Sequence, residues 1–397
     1  KAAAMPGVIA ILTGDDFKAK GGLITAWGVT SRDGSAQQEP RHPILAEGVV
    51  RHVGEPIAGV IAETADQARD AVEAIVCDID ELPAVVDMRD ALAEGAVKVH
   101  ESLTSNLCFD WGFIEDNKAA VDEAFSKAHH VTTLELVNQR LVANAIEPRA
   151  AIGDYDRGMD QYTLYTTSQN PHVIRLVMGA FTLQIPEHKL RVVAPDVGGG
   201  FGSKIMNYNE EAFVTHASQV VGRPVKWTAA RSESFVTDAQ GRDHVTKIQL
   251  ALDKDGMSLA LRTETLANMG AYLRLFATVT PTYLHGPTMA GPYRTPLVYV
   301  NVKAVFTNTV PVDAYRGAGR PETTYQCERL VDKAAREMGI DPVDLRRRNF
   351  IRPEEFPYQT PLAVVYDSGN HHATLDKVLE ISDYAGFGKR AQESAKR

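Results

Sequence analysis

The segment Val197-Gly198-Gly199-Gly200-Phe201-Gly202-Ser203-Lys204 carries the residue types with the most chemical meaning. Three consecutive glycines remove every Cβ from one side of a loop, so backbone N–H groups can come close to a ligand. A phenyl ring between glycines adds a flat face beside that backbone. A plain connection or a β-bulge would have the same composition. Nucleotide chemistry fits poorly. A phosphate-binding loop needs GxxxxGK followed by Ser or Thr, whereas here the spacing differs and Ile205 follows Lys204. A dinucleotide fingerprint should open a βαβ unit with an acidic residue about 20 positions on. A second loop, Ala314-Tyr315-Arg316-Gly317-Ala318-Gly319-Arg320-Pro321-Glu322, brackets glycines with two arginines and then starts a helix at Pro321. Exposed amides, a helix N-terminus and guanidinium groups together make an anion site; a capped helix with solvated arginines is the plainer alternative. In a third loop, Thr166 to His172, Gln169 either donates to a ligand oxo group or caps the following helix.

Strands and helices must hold these loops. Residues 1–95 read as a small α+β unit: a buried strand at Pro56–Glu63, a helix at Gln67–Val76, a returning strand at Cys77–Val86 and a short helix at Met88–Leu92. The turn-rich stretch 96–117 reads as a linker. A second domain, 118–352, follows, with a helix at Asp122–Ala128 and strands at Val131–Val137, Gln161–Thr167, Leu190–Val193, Val225–Thr228, Thr246–Leu252 and Leu259–Leu266. Further helices are expected at Val173–Leu183, Asn209–Val221 and Pro321–Gly339, and Asp253-Lys254-Asp255-Gly256 is a hairpin turn. Residues 353–397 run through a Pro-rich loop into a helix at Leu375–Asp383 and read as the start of another domain. Lys1 enters directly on an apolar run and nothing after Arg390 closes a site, so the chain is expected to be truncated at both ends.

With 397 residues, two domains are the natural expectation. A net charge of −9 argues against a surface that tracks nucleic-acid phosphates. No run of about 20 apolar residues suggests a membrane span. Cys77, Cys108 and Cys327 match no iron–sulfur spacing and read as free thiols in a reducing cytoplasm, so a multi-thiolate redox centre would sit on another polypeptide.

The order of these segments is more specific than any one of them. Thr167-Ser168-Gln169-Asn170, Gly198 to Lys204, Ala314 to Arg320 and Leu345-Arg346-Arg347-Arg348-Asn349 together resemble the large subunit of the molybdenum hydroxylases, the xanthine dehydrogenase/aldehyde oxidase family. Met5 to Thr13 and Val53-Gly54-Glu55-Pro56-Ile57-Ala58 resemble that family's α/β hammerhead domain. Asn144 to Arg149 and Gly291-Pro292-Tyr293-Arg294 extend the likeness over essentially the whole chain.

The resemblance implies an α+β fold, a hammerhead domain followed by a mixed molybdopterin-binding domain. It implies a molybdenum–molybdopterin cofactor, as the cytosine dinucleotide in a bacterial protein, and oxidation of an aldehyde or N-heteroaromatic with oxygen from water. Electrons would leave to a [2Fe-2S] small subunit and an FAD-binding medium subunit, in a cytoplasmic dimer of heterotrimers. Carried over by position, Gln169 and Arg316 take catalytic roles. Gln169, Gly199, Gly200, Phe201, Gly202, Arg316 and Gly317 line the cofactor, Arg346 either joins them at its anionic groups or is held by packing or a surface ion pair, and no protein ligand reaches the metal. Glu147 is either a pocket carboxylate or structural. The family's general-base glutamate has no counterpart here, and Glu322 does not lie in its motif. Two departures narrow the substrate. Gly317 stands where copper-dependent carbon monoxide dehydrogenases carry a cysteine, and Ile205 where xanthine-oxidising relatives carry a glutamate. A non-catalytic scaffold is the rival from another class, and a nucleotide-binding protein the third.

Overall fold

The computed structural model describes Lys1–Arg397, apart from the side chain of Asp116. The N-terminal unit contains β1 (Val8–Thr13), α1 (Gly14–Phe17), β2 (Ala58–Ala62) and α2 (Ala65–Glu73). The two strands pair antiparallel, from Thr13 opposite Ala58 to Val8 opposite Ala62. Thr64 caps α2 by accepting the Gln67 amide at 3.2 Å, while the Gln67 side chain returns to the Thr64 amide.

The remainder runs β3 (Leu107–Phe113), α3 (Lys118–Lys127), β4 (His130–Asn138), β5 (Leu141–Val142), β6 (Ala150–Asp156), β7 (Gln161–Thr166), α4 (Pro171–Val177), β8 (Leu190–Val193), α5 (Asn209–Val221), β9 (Val225–Thr228), α6 (Arg231–Thr237), β10 (Gln240–Gly241), β11 (His244–Leu252), β12 (Ser258–Gly270), β13 (Leu297–Phe306), α7 (Arg320–Met338) and α8 (Pro342–Asn349). A small hairpin and the helices His371–Ile381 and Phe387–Ser394 close the chain. The mixed α+β architecture agrees with the expected class.

Two sheets organise the second unit. The larger has the order β3-β13-β12-β11-β4, and the smaller β8-β7-β6-β9. Along β11, buried His244, Thr246, Ile248 and Leu250 alternate with more open positions such as Lys247, the period of two that a one-sided sheet demands. Helix α7 covers the inner face, so Leu330 and Ala334 meet Leu250, Val300 and Val302 in the main core. A second core joins the two units: Leu12, Phe17, Ile44 and Ile61 pack with Leu164, Ile174 and Val214. Each such buried aliphatic or aromatic side chain contributes about 1.5–3 kcal/mol. The hammerhead-like unit is therefore docked on the smaller sheet.

Several expectations are corrected. Cys77–Val86 forms no strand, and Val76, Ile79, Leu82 and Val86 are exposed. A strand exists through its ladder, and this segment meets none among the described residues; Pro83 also lacks an N–H to offer. Met88–Leu92 makes turns instead of a helix, although Met88 and Ala91 are buried. The stretch expected as a linker, 96–117, contains β3, which forms the edge of the larger sheet against β13. Residues 353–397 are not wholly separate either, because Leu362 is buried in the main core.

Packing places one buried charge at the root of the site. Arg149 is 4% exposed; its Nε donates to Asp238 at 2.6 Å and its two Nη atoms donate to Glu210 at 2.9 and 3.1 Å. Its guanidinium also lies 3.6 Å from the centroid of the Tyr208 ring. Burial pushes the Glu210 carboxyl up, but the facing Arg149 charge outweighs it and holds the group below its ordinary value. Removing one partner of such a pair strands the other charges in a dry interior. Arg149→Met is expected to destabilise the fold by about 3–5 kcal/mol, read as a lower denaturation midpoint; an unchanged midpoint would show that the pair is dispensable.

Candidate functional site

Parallel pairing of β7 with β8, with Tyr165 opposite Val193, makes the two strands end side by side. The loop after β7 carries Gln169, and the loop after β8 carries the glycines. In sheets of this kind the crevice beyond the carboxyl ends of parallel strands is where ligands bind. The Gln169 amide donates to the Lys204 carbonyl at 2.9 Å, and the Gln169 Oε1 accepts the Gly202 amide at 2.9 Å. That second bond fixes the side-chain amide with its nitrogen turned away from Gly202. Among the described residues Nε2 has no partner, and Gln169 is exposed. Capping of α4 is not its role, since no side chain caps that helix.

One glycine is required by the geometry and a second is favoured. A Cβ at Gly200 would meet the Gln169 carboxamide, a flexible side-chain end that would have to shift. Gly202 adopts φ +108°, and a Cβ there would strike the Ala314 carbonyl. Phe201 between them holds φ +53°, a left-handed conformation uncommon for a bulky residue, and leaves its ring 43% exposed.

The third turn arrives from the other sheet. The Arg316 amide donates to the Phe201 carbonyl at 2.8 Å, and the Arg316 guanidinium lies 5.8 Å from the Phe201 ring centroid. Gln169, Phe201 and Arg316, taken from segments far apart in sequence, thus share one exposed surface. Arg316 is exposed, and its guanidinium has no hydrogen-bond partner among the described residues. Gly317 follows at φ +94°, pressed against Pro321. Asp313, just before this turn, accepts the amides of Phe276 (2.9 Å) and Ala314. Burial raises its carboxyl to about 7, while those two amides pull it down.

Carboxylates nearby are structural. The Glu147 Oε2 accepts both the Gly198 amide and the Lys204 ammonium at 2.7 Å, so Glu147 clamps the glycine loop. Lys204 is 3% exposed and spent on that pair, which leaves no phosphate-reaching lysine. Glu322 is fully buried; its Oε1 meets Arg242 at 3.2 Å and its Oε2 is unpartnered among the described residues. Arg346 is a correction. Its Nε and one Nη donate to Glu328 at 2.9 and 2.7 Å, and the other Nη donates to Asp332 at 2.9 Å. Glu328 is eight residues into α7, about 12 Å along the axis from its start. Arg346 therefore fastens α8 to α7 and does not reach the three turns.

Sequence reasoning did not single out Arg242, whose guanidinium bonds the Tyr315 and Arg316 carbonyls. Nothing in Gly241-Arg242-Asp243 advertised it. Among the described residues no three His, Cys, Asp or Glu side chains are grouped as metal ligands. The surface offers amide N–H groups, a carboxamide NH₂, a guanidinium and an aromatic face, a donor set suited to a flat, oxygen-rich anion.

Comparison with known proteins gives this surface its context. Residues 99–350 match the family described as molybdopterin cofactor-binding domain, and residues 1–83 match the aldehyde oxidase and xanthine dehydrogenase a/b hammerhead domain. The carbon monoxide dehydrogenase large chain of Hydrogenophaga pseudoflava is 37% identical across 100% of this chain and 49% of its own length. The nicotine 6-hydroxylase large subunit of Paenarthrobacter nicotinovorans is 33% identical across 89% of this chain and 43% of its own length. The crystal structure of quinoline 2-oxidoreductase from Pseudomonas putida 86 superposes with a TM-score of 0.92 at 32% identity, covering all of this chain and 49% of that one. The chain belongs to the molybdopterin-binding large subunits of the xanthine dehydrogenase/aldehyde oxidase family, and it spans about half the length of these relatives. No helix of the described residues is long and apolar enough to cross a membrane.

The clamp on the glycine loop has a pH signature. Burial raises the Glu147 carboxyl, but the Lys204 ammonium and the Gly198 amide outweigh it and lower it overall. A lowered carboxylate stabilises the fold fully above its ordinary value, and that contribution is lost as pH falls through the lowered one. Protection of the Gly198 amide, its exchange rate compared with the intrinsic rate at each pH, should fall across that acidic window. In Glu147→Gln exchange should be faster throughout and lack the transition; a Gly198 amide indifferent to both would refute the clamp.

Proposed function

We propose that this chain is the molybdopterin-binding part of a catalytic subunit that oxidises an aldehyde or an N-heteroaromatic. The observation that carries the reading is the exposed surface where Gln169, the Gly199–Gly202 backbone and Arg316 meet. The fit is testable on the residues themselves. An open ring at Phe201 and two unpartnered donors, the Gln169 carboxamide N–H and the Arg316 guanidinium, suit a planar group rich in anionic oxygen. When bound, a molybdenum–molybdopterin cofactor supplies a two-electron centre that oxygenates carbon with oxygen from water.

Each residue then has a role of its own. Gln169 donates its carboxamide N–H to an oxo group. Gly199, Gly200 and Gly202 let a flat ligand approach the backbone, with Phe201 against its edge and Gly317 leaving room beside Arg316. Arg316, whose charge is not neutralised by a neighbour among the described residues, holds the cofactor or stabilises negative charge growing on substrate. Among the described carboxylates near these turns, Glu147 and Glu322 are held in ion pairs, and Asp313 is buried and accepts two backbone amides.

Position 317 favours an organic substrate over carbon monoxide. A cysteine there would have to take φ +94°, and its Cβ would sit 2.5 Å from Pro321 Cγ. Gly317 itself offers no sulfur for copper, and Ile205 offers no carboxylate for a purine. Further assignments follow the family: a cytosine dinucleotide form of the cofactor, an iron–sulfur small subunit and an FAD medium subunit in a dimer of heterotrimers, and a cytoplasmic setting. The division into 1–95, 96–117, 118–352 and 353–397 belongs to the same reading, with β3 assigned to the cofactor domain's sheet.

The test is molybdenum content and turnover of the intact complex, produced in a host that makes molybdopterin. The native protein should carry molybdenum and oxidise aldehydes or N-heteroaromatics. Gly200→Val should lose the metal, because the branched side chain occupies the ligand's place. Gln169→Ala should keep most of the metal and lose about 10–100-fold in kcat. A metal-free native complex would leave the scaffold reading in its place, and full metal content in Gly200→Val would refute the placement of the loop.

A further inference from the structure

We propose that Arg242 is a positioning residue for Arg316, acting through the backbone. Resting on the role given to Arg316 above, this assigns a function to a side chain that touches neither ligand nor solvent. The guanidinium of Arg242 is 6% exposed and lies 4.9 Å from the Tyr315 ring centroid. One Nη donates to the Tyr315 carbonyl at 2.9 Å, the other to the Arg316 carbonyl at 2.7 Å. Those carbonyls belong to the peptide planes before and after the Arg316 Cα. The Arg316 amide, in the first of those planes, is held in turn by the Phe201 carbonyl at 2.8 Å. Both planes are thus pinned, and with them φ and ψ of Arg316.

This matters because the Arg316 guanidinium has no hydrogen-bond partner among the described residues and lies only against the Phe201 ring, 5.8 Å from its centroid. The backbone sets where its side chain starts and which rotamers are open to it, and Arg242 holds that backbone. The guanidinium presents two separate Nη atoms, so each carbonyl has its own donor nitrogen and one of the two is shared with a carboxylate. The carboxylate is that of buried Glu322, which meets the Nη that bonds Tyr315 and supplies the counter-charge that burial of Arg242 requires. Arg242 and Asp243 hold φ +67° and +68°, left-handed conformations that persist where the surroundings over-determine them. The determinants are visible. Asp243 Oδ2 accepts Arg140 Nε at 2.7 Å and Asn268 Nδ2 at 3.0 Å, and the Gln240 amide donates to the Pro311 carbonyl at 3.1 Å. Gly241 has no room for a Cβ because the Tyr315 side chain fills that space. A strained turn is thereby held against the loop that carries Arg316.

The experiment is a double-mutant cycle in the intact complex, using Arg242→Met, Arg316→Met and both together, with turnover expressed per bound molybdenum. Arg242→Met should keep its metal and lose about 10-fold or more in kcat, with KM changed less than about twofold. The double variant should be no slower than Arg316→Met alone, since Arg242 acts only through Arg316. In protein without cofactor, hydrogen exchange at the Gly317 and Ala318 amides should quicken in Arg242→Met. Should that variant fail to fold, Arg242→Lys serves in the same cycle. Its charge keeps the Glu322 pair while one ammonium nitrogen replaces the two Nη atoms that serve the carbonyls separately, so it too should lose turnover without adding to Arg316→Met. Losses that multiply in the double variant, or near-native turnover in both Arg242 variants, would overturn the proposal. Absence of molybdenum from the native complex would instead overturn the functional reading.

Discussion

A single backbone bond, from the Arg316 amide to the Phe201 carbonyl at 2.8 Å, joins two halves of the site carried by different sheets. The glycine loop leaves the smaller sheet after β8, and the Arg316 turn follows β13 of the larger one. For two turns to meet backbone to backbone, side chains must be absent where they touch. Gly202 has no space for a Cβ beside the Ala314 carbonyl, nor has Gly319 beside the carbonyls of Thr280 and Leu284. The glycines therefore serve contact between protein segments as much as access for a ligand. Gly200 and Gly202 both meet the Gln169 side chain, Gly200 where its Cβ would be and Gly202 through its amide, beside the surface that the functional reading assigns to the cofactor.

Buried charge is the second constraint, and it is spent on the walls of the site. Arg149, Lys204 and Arg242 are each under about a tenth exposed, and each meets a carboxylate: Glu210 and Asp238, Glu147, and Glu322. An isolated buried charge is too costly to persist, and a paired one is a weak source of net stability. What such pairs give is a single geometry, because their hydrogen bonds are directional. Glu147 ties the glycine loop to the 144–149 segment, Arg149 ties that segment to α5, and Arg242 ties the Arg316 turn to α7. The exposed donors of Gln169 and Arg316 stand on this dry scaffold. Nearby histidines take no part as charges, since burial lowers both His244 and His285 to about 4 and keeps them neutral.

Legibility in the sequence followed how local each determinant is. α5 was readable to its ends because Glu210 and Glu211 sit in its first turn and Gly222 closes it at φ +66°. The β11–β12 hairpin was readable from Asp253 to Gly256 for the same reason. β13 was missed although Val298, Val300, Val302 and Ala304 alternate with Tyr299, Asn301 and Lys303 at a strand's period of two. Cys77–Val86 fails in the opposite sense: its alternation is real, but strand formation depends on a partner that local pattern cannot supply. The convergence of the three turns was legible only through resemblance. The parallel register of β7 and β8 that produces it is a tertiary fact.

Arg316 and Arg346 show why a motif alone does not define a site. Both lie near a helix terminus in arginine-containing segments, and both were expected to face the cofactor. Arg346 belongs to α8, within reach of Glu328 and Asp332, which lie four residues apart on one face of α7. Two carboxylates at that spacing neutralise its guanidinium completely. Arg316 precedes α7 on a turn of glycines at φ +94° and +85°, with Ala318 between them, and no acidic side chain among the described residues pairs with it. An arginine's availability for chemistry is thus set by the charges that its backbone places within reach, and those are fixed by helix packing. In this fold the same helix does both: α7 consumes Arg346 at its middle and, through Glu322 and Arg242, holds the free Arg316 ahead of its first turn.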